Sequence, residues 1–398
     1  MEDTSNVAGA SVSNTIINRA RSTGIAFVGT GYVADFYQAT LPNHPELQLI
    51  GVYDHDCGRA KNFSACHDVP TYSSLDALLA DDRVALVVNL TNPDSHFDVS
   101  RRSLAAGRHV YSEKPFATTL AEAEELVTLA DRHGLILGSA PCSLLGETAQ
   151  TLWAALRSHT IGNPRLVYAE IDDGAIHRMP YHDWTSVAGT PWPYQDEFLN
   201  GPVLEHAAYY LTWLTAFFGP AREVTASAHL IVPDRPVPPE RTPAADFACA
   251  TIAFHSGVIA RLTCGTVAPQ NHTLQIVGDA GVLSIDRSWD YHAPVFFRPH
   301  RTATDGSHDY LTEPQIYPPV RVDAERHRYY DTHDMDFARG VAEVAAQAAG
   351  SPSRHMDARH ALHVLEIVLA ITASATGPAR TAIRSTFDPI EPMPWATS

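Results

Sequence analysis

The chain has 398 residues, 45% of them hydrophobic and 18% charged, which is the balance of a globular protein and too long for one ordinary core, so two domains are expected. Its 45 acidic residues outnumber 28 basic ones, and a formal net charge of −17 argues against nucleic acid or an anionic membrane as partner, since both need Lys and Arg to neutralise phosphate. Five scattered cysteines, Cys57, Cys66, Cys142, Cys249 and Cys264, form neither a disulfide framework nor a zinc spacing, and fit a reducing, cytoplasmic compartment.

Residues 1–23 are rich in Ser, Asn and Ala and read as a disordered tail. From 24 to 140 strands and helices alternate, the pattern of a doubly wound, parallel Rossmann sheet. The first strand runs into Gly29-Thr30-Gly31-Tyr32-Val33-Ala34, a turn that opens a helix. Such a turn cradles a dinucleotide pyrophosphate: one glycine makes the tight turn, the next admits the phosphates, and a small residue lets helix and strand pack. A second strand, 47–53, ends in Asp54, about 20 residues on, where a ribose-binding carboxylate belongs. Asp54 predicts NAD rather than NADP, with Arg59 the nearby cation able to swing in.

Further strands are expected at 85–90, 109–112 and 135–138, and helices at 96–106 and 120–133, the latter framed by Thr119 and Glu122 as a capping box and by Gly134. Ligands of such a sheet bind beyond the carboxyl ends of its strands. Two segments lie there: Thr91-Asn92-Pro93-Asp94-Ser95-His96 and Ser112-Glu113-Lys114-Pro115. The proline restricts the residue before it and so aims Lys114, although as a bare pattern a purely structural lysine fits equally well.

The second domain, 141–398, reads as α+β with a large, mostly antiparallel open sheet. A helix at 147–159 and a strand at 165–171 lead to a long loop, 172–200, crowded with polar and aromatic residues; a loop of that length is usually functional. Its Arg178, Trp192 and Asp196, with Tyr210 from the next helix (203–218), suit a polyol or sugar, whose C–H faces stack on rings while its hydroxyls take hydrogen bonds. His177, His182 and Asp183 match no ligand spacing, so no metal is expected. Strands follow near 224–231, 247–254, 258–266, 273–277 and 282–286, the Pro-rich 232–243 and 314–319 read as exposed loops, and helices at 334–349 and 357–376 close the chain. His327, His333, His355, His360 and His363 read as surface or helix-packing residues.

The Gly29–Ala34 turn, the Thr91–His96 segment and above all Glu113-Lys114-Pro115 resemble the Gfo/Idh/MocA oxidoreductases, typified by glucose-fructose oxidoreductase and inositol 2-dehydrogenase. The resemblance covers the chain after residue 23. It implies cofactor contacts from Gly29, Thr30, Gly31, Tyr32, Val33, Asp54, Thr91, Asn92, Pro93, His96, Glu113, Lys114 and Pro115, with Lys114 beside the nicotinamide. The family's helix that carries Asp and, four residues on, a catalytic His is matched by Asn200–Tyr210, with Glu205 at the Asp position and Tyr209 at the His position. A phenolate stabilised by the Lys114 ammonium can relay a hydroxyl proton, but His206 competes for the role of base. The implied activity is NAD(P)-dependent hydride transfer at a secondary hydroxyl or ketone of a sugar, cyclitol or polyol. Relatives that use bound NAD for epimerisation or glycoside cleavage, and others that only sense dinucleotide, are the alternatives. The family also implies a homodimer or homotetramer, with the closing helix packed back on the first domain.

Overall fold

Short apolar strands separated by amphipathic helices leave the first part of the chain one way to bury both faces of a sheet: strands in the middle, helices outside. The computed structural model describes residues 22–307, 309–322 and 333–397; the expected tail (but for Ser22 and Thr23) and His327 lie outside the described residues. Strands β1 (Thr23–Val28), β2 (Leu47–Tyr53), β3 (Leu86–Asn89), β4 (His109–Ser112) and β5 (Leu137–Ser139) form a parallel sheet in the order β2-β1-β3-β4-β5. The order reverses between β1 and β3, which opens a ligand crevice at their carboxyl ends. Helices α1 (Ala34–Thr40), α2 (Cys57–His67), α3 (Leu75–Leu79), α4 (Pro93–Ala105) and α5 (Leu120–His133) flank it. Helix α5 keeps the expected bounds, with the Thr119–Glu122 capping box formed and Gly134 left-handed at φ 64°. Helix α4 starts earlier than expected because Pro93 suits a first helical position.

The second sheet has ten strands. Helix α6 (Glu147–Arg157) and β6 (Pro164–Asp172) are followed by α7 (Tyr194–His206) and α8 (Ala208–Phe218). Then come β7 (Ala221–His229), β8 (Phe247–Phe254), β9 (Ile259–Gly265), β10 (Leu274–Gly278), β11 (Gly281–Ile285), β12 (Phe296–Thr302), β13 (Asp309–Leu311), β14 (Gln315–Ile316), α9 (Ala338–Ala348), α10 (Ala358–Ala373) and β15 (Ala379–Ala382). The order is β13-β12-β11-β10-β6-β9-β8-β7-β15, with β14 on β12; all pairs are antiparallel except β6 with β9.

The largest departures from the sequence reading are three. The long loop ends early, because α7 begins at Tyr194 and bends at Gly201, whose φ of 74° and close approach to the Ala245 carbonyl (2.6 Å from a built Cβ) exclude larger residues. Strand β12 carries Pro299 and three basic residues, so it does not read as a strand, yet these are tolerated near a sheet edge. The Pro-rich stretch at 232–243 is not wholly exposed: Arg235 is buried and pairs with Asp246 at 2.8 Å.

Helix α10 packs back on the first domain through Leu362 and Leu365, which join Leu104, Val110, Leu126 and Leu137 in one apolar cluster. Its Val364, Ile367, Val368 and Ile371 enter the main core. Together with the following turn (Ala358–Thr376) it is the one described segment long and apolar enough to cross a bilayer, but 61% of it is buried inside the protein, as befits a core helix.

Candidate active site

The turn after β1 is shaped around its glycines. Gly29 has φ 95°, and a Cβ there would stand 2.5 Å from the Leu90 carbonyl; a Cβ on Gly31 would meet nothing within 4 Å. The turn is therefore closed on the protein side and open on the crevice side, the space a pyrophosphate needs beside the backbone. Thr30 is tied to the end of β2: its N–H and hydroxyl both donate to Asp54 Oδ2, at 2.8 and 3.1 Å. Asp54 Oδ1 accepts from Asp56 N–H and from Arg59, at 2.9 and 3.0 Å. Burial alone would raise this carboxyl, but Arg59 and the backbone donors outweigh it and hold it below its ordinary value. Arg59 has thus already swung in, with 36% of its side chain exposed. Tyr32 packs edge-on against Phe36, and Val33 is the residue before α1.

The ends of β3 and β4 are braced by side chains that the sequence places at the cofactor. His96, 1% exposed, lies between the Pro115 carbonyl (Nδ1, 2.6 Å) and the Thr91 carbonyl (Nε2, 2.8 Å). Burial depresses its pKa, so a neutral ring donates to one of the two. Its expected cofactor contact is therefore corrected: it staples the two strand-end loops together. Glu113 is corrected likewise, because Tyr37 donates to Oε1 (2.6 Å) and the Lys114 N–H to Oε2 (2.9 Å), which leaves it holding the loop. Thr91 donates to Asn89 at 2.7 Å, and Pro93 opens α4. The Lys114–Pro115 peptide is cis.

Lys114 meets α7 at the centre of the crevice. Its Nζ donates to Glu205 Oε2 at 2.8 Å, and Asn200 donates to Glu205 Oε1 at 2.8 Å. Burial opposes the ammonium, but Glu205, Tyr209 and Glu113 outweigh it and raise the Lys114 pKa; Glu205 is lowered, since Lys114 and Asn200 outweigh its own burial. Beside this pair His206 contacts Asp173, at the end of β6, and has Nε2 3.5 Å from Glu197 Oε1. Asp173 also takes His272 Nε2 at 2.6 Å. Burial would lower His206, yet Asp173 and Glu197 push it up to about 9. Tyr209, one helical turn beyond Glu205, packs on Trp289 and His333. The expected lowering of its phenol is overturned: burial raises it, and Lys114 offsets only part.

The remaining substrate-facing candidates separate. Tyr210 is 0% exposed, donates to the His272 carbonyl and packs on Trp213, so it is a core residue and not a substrate contact. Arg178 is exposed on a short helical turn. Trp192 sits in an aromatic cluster with Tyr181 and Trp184. Burial raises the Asp196 carboxyl, and the Asn92 side chain opposes. The segment carrying these residues lies across the crevice, since Ala188 N–H donates to Asp35 on α1 (3.0 Å) and Thr190 to the Thr30 carbonyl (3.4 Å). His355, His360 and His363 are buried, and among the described residues no group of three or more His, Cys, Asp or Glu is placed to hold a metal. Asp173, His272, Trp289 and Asn200 were not legible as site residues; the position of Asp173 just after a strand was the one local signal.

A glycine cradle at the switch point, a carboxylate on β2 and a buried lysine facing an acid define a nicotinamide-dinucleotide oxidoreductase. Residues 23–140 match the oxidoreductase family with NAD-binding Rossmann fold, and residues 149–284 the GFO/IDH/MocA C-terminal domain. The chain belongs to the Gfo/Idh/MocA oxidoreductase family and is an NAD(P)-dependent enzyme of the dehydrogenase and ketoreductase kind. It is 26% identical over 261 residues to the trans-1,2-dihydrobenzene-1,2-diol dehydrogenase of Macaca fuscata fuscata, covering 65% of this chain and 72% of that one. Against the scyllo-inositol 2-dehydrogenase (NADP(+)) IolU of Bacillus subtilis it is 23% identical over 304 residues, 75% and 85% of the two chains. Its fold resembles that of KijD10, a 3-ketoreductase from Actinomadura kijaniata solved with NADP and TDP-benzene, with a TM-score of 0.68, 21% identity and coverage of 89% and 98%.

Proposed function

We propose that the enzyme interconverts a secondary hydroxyl and a ketone on a sugar, cyclitol or related cyclic polyol. The observation that carries this reading is the Lys114–Glu205 contact of 2.8 Å at the carboxyl end of β4, with Tyr209 one turn away. It supports the reading by setting an ammonium at the carboxyl end of the parallel sheet, the end at which a dinucleotide cradled at Gly29–Gly31 would lie. The bound dinucleotide supplies hydride acceptance and donation; the chain's own part is to hold the reacting oxygen and move its proton. Lys114 orients that oxygen and offsets negative charge on it, and the Tyr209 hydroxyl carries the proton, with His206 as the competing carrier. Relatives named for a cyclic diol, an inositol and a 3-keto substrate support the same substrate class. A merely dinucleotide-sensing role does not call for a buried Lys–Glu pair beside the cradle.

Both dinucleotides are taken, NAD through Asp54 and NADP through Arg59, because the guanidinium already balances the carboxylate that would repel a 2′-phosphate. Assembly into a homo-oligomer through the open face of the ten-stranded sheet belongs to the same reading, supported by Leu166, 39% exposed on that sheet. Light scattering on the purified protein tests it; a monomer is the contrary result. The function is tested by following reduced-nicotinamide absorbance over a screen of sugars, cyclitols and cyclic diols with each dinucleotide. Tyr209→Phe is expected to lower kcat about 100-fold with dinucleotide binding kept, and His206→Asn to be milder. The reverse order makes His206 the proton carrier, and no absorbance change with any substrate class defeats the reading.

A further inference from the structure

Asn200 and Glu205 lie five residues apart on α7, and in an unbroken helix, at 100° per residue, their side chains would stand about 140° apart. Yet Asn200 Nδ2 donates to Glu205 Oε1 at 2.8 Å. The bend between them brings them together: Gly201 sits at φ 74° and ψ 162°, and Pro202, which has no N–H, leaves the Phe198 carbonyl without its helical donor. The loop after β7 makes good both features. Ala244 N–H donates to the Phe198 carbonyl at 2.9 Å, and the Ala245 carbonyl lies against Gly201. That loop is itself tied at its two ends, since Asp246 accepts from the Ile231 and Val232 N–H groups and from Arg235, at 2.7, 2.8 and 2.8 Å. The bend is therefore held from outside the helix, and it delivers an amide to a carboxylate.

We propose that Asn200 is a positioning residue for the hydride-transfer reaction, fixing the Glu205 carboxylate so that Glu205 holds the Lys114 ammonium in one direction. The proposal rests on the role given to Lys114 above. Glu205 meets Lys114 through Oε2 and Asn200 through Oε1, so among the described residues each oxygen has a donor of its own, one from each domain. The last torsion of a glutamate is broad, and a carboxylate held by the lysine alone can turn and carry the ammonium with it. An amide on the other oxygen stops that turn and, being neutral, leaves the charge balance of the pair as it was. An ammonium has three N–H donors. With one committed to Glu205 in a fixed direction, the other two point to fixed places, as a group that must meet a reacting oxygen requires.

Asn200→Ala removes the amide, and Asn200→Asp keeps its shape while removing the N–H. Both are expected to lower kcat about tenfold or more, with dinucleotide affinity kept within about twofold. In a Glu205→Gln background Asn200→Ala should cost no more than about a further twofold, because the carboxylate through which it acts has gone; a residue that only supports the fold would cost as much in either background. A second measurement needs no substrate. Lys61, exposed on α2, and Lys114 are the only two lysines of the chain, so acetylation by acetic anhydride, read by mass spectrometry, gives the reactivity of Lys114 against an internal standard. The free amine is the nucleophile, and a fixed carboxylate keeps Lys114 as the ammonium; the ratio of Lys114 to Lys61 acetylation should rise at least about threefold in Asn200→Ala.

Wild-type kcat in both variants overturns the proposal, as does a full loss repeated in the Glu205→Gln background or an unchanged acetylation ratio. Lys114→Met measured alongside separates the two readings. If it turns over at the wild-type rate, the role given to Lys114 falls, and the acetylation ratio still decides whether Asn200 governs that lysine.

Discussion

Lys114 is half-buried and Glu205 buried, with 16% and 10% of their side chains exposed, so removing one member leaves the other as a poorly compensated charge. Lys114→Met is expected to lower stability by about 3 kcal/mol and turnover by about 100-fold or more. Adding Glu205→Gln should restore most of the stability and none of the turnover. Urea unfolding and initial rates measured on the same preparations separate the two effects, and a double variant as unstable as the single would show that the pair does not carry the loss. His206 gives a pH signature of its own. Its folded value, about 9, lies above the ordinary histidine value of about 6.5, so the stabilisation is full below about 6.5 and is lost as pH rises through about 9. His206→Asn should flatten the fall of Tm over that window. Neighbours in sequence mislead at this scale: Tyr209 and Tyr210 are one residue apart, and the 100° step of a helix sends one to the crevice and the other to the core. His96 and Glu113 carry the right residue types for a cofactor wall, but what they touch is decided by Thr91, Pro115 and Tyr37, which no local pattern specifies.

The turn between β1 and α1 offers a paired test among the elements. Gly31→Ala adds a methyl group to open space, so Tm should hold while dinucleotide affinity falls at least about tenfold. Gly29→Ala forces a side chain to φ 95° against the Leu90 carbonyl, and should cost about 1–3 kcal/mol before any ligand is added. Calorimetry and melting curves distinguish the two; equal losses of stability would contradict the geometry of the turn. This turn and α5 were readable because their determinants sit within a few residues of one another. The bend in α7 at Gly201 depends on the Ala245 carbonyl, and β12 is a strand only because β11 and β13 pair with it. Arg59 lies within reach of Asp54 on sequence grounds, but its choice of that carboxylate over solvent is set by the way α2 returns to β2. Arg59→Ala should therefore raise the preference for NAD over NADP at least about tenfold, as read from the ratio of the two dissociation constants.

Across the whole molecule the main core runs through both domains, and helix α10 and a crossing segment are among the further joins. Helix α10 shares one apolar cluster with the first domain and also enters the main core, a packing that the family resemblance implies. The second join, the segment from Ala188 to Asp196, could not be read from the sequence, because it rests on single hydrogen bonds to Asp35 and Thr30, each far away along the chain.

That second join touches the cofactor domain at α1 and at the glycine turn, beside the crevice in which a dinucleotide would lie. Its consequence is one of time. A molecule seated beneath such a strap leaves only when the strap lifts, so residence is governed by the opening of a peptide segment as well as by the strength of the ligand's own contacts. Release followed by displacement should then be slow and independent of competitor concentration. Ala188→Pro, which deletes the N–H that reaches Asp35, should hasten release by about tenfold, the scale of one lost hydrogen bond to a charged group.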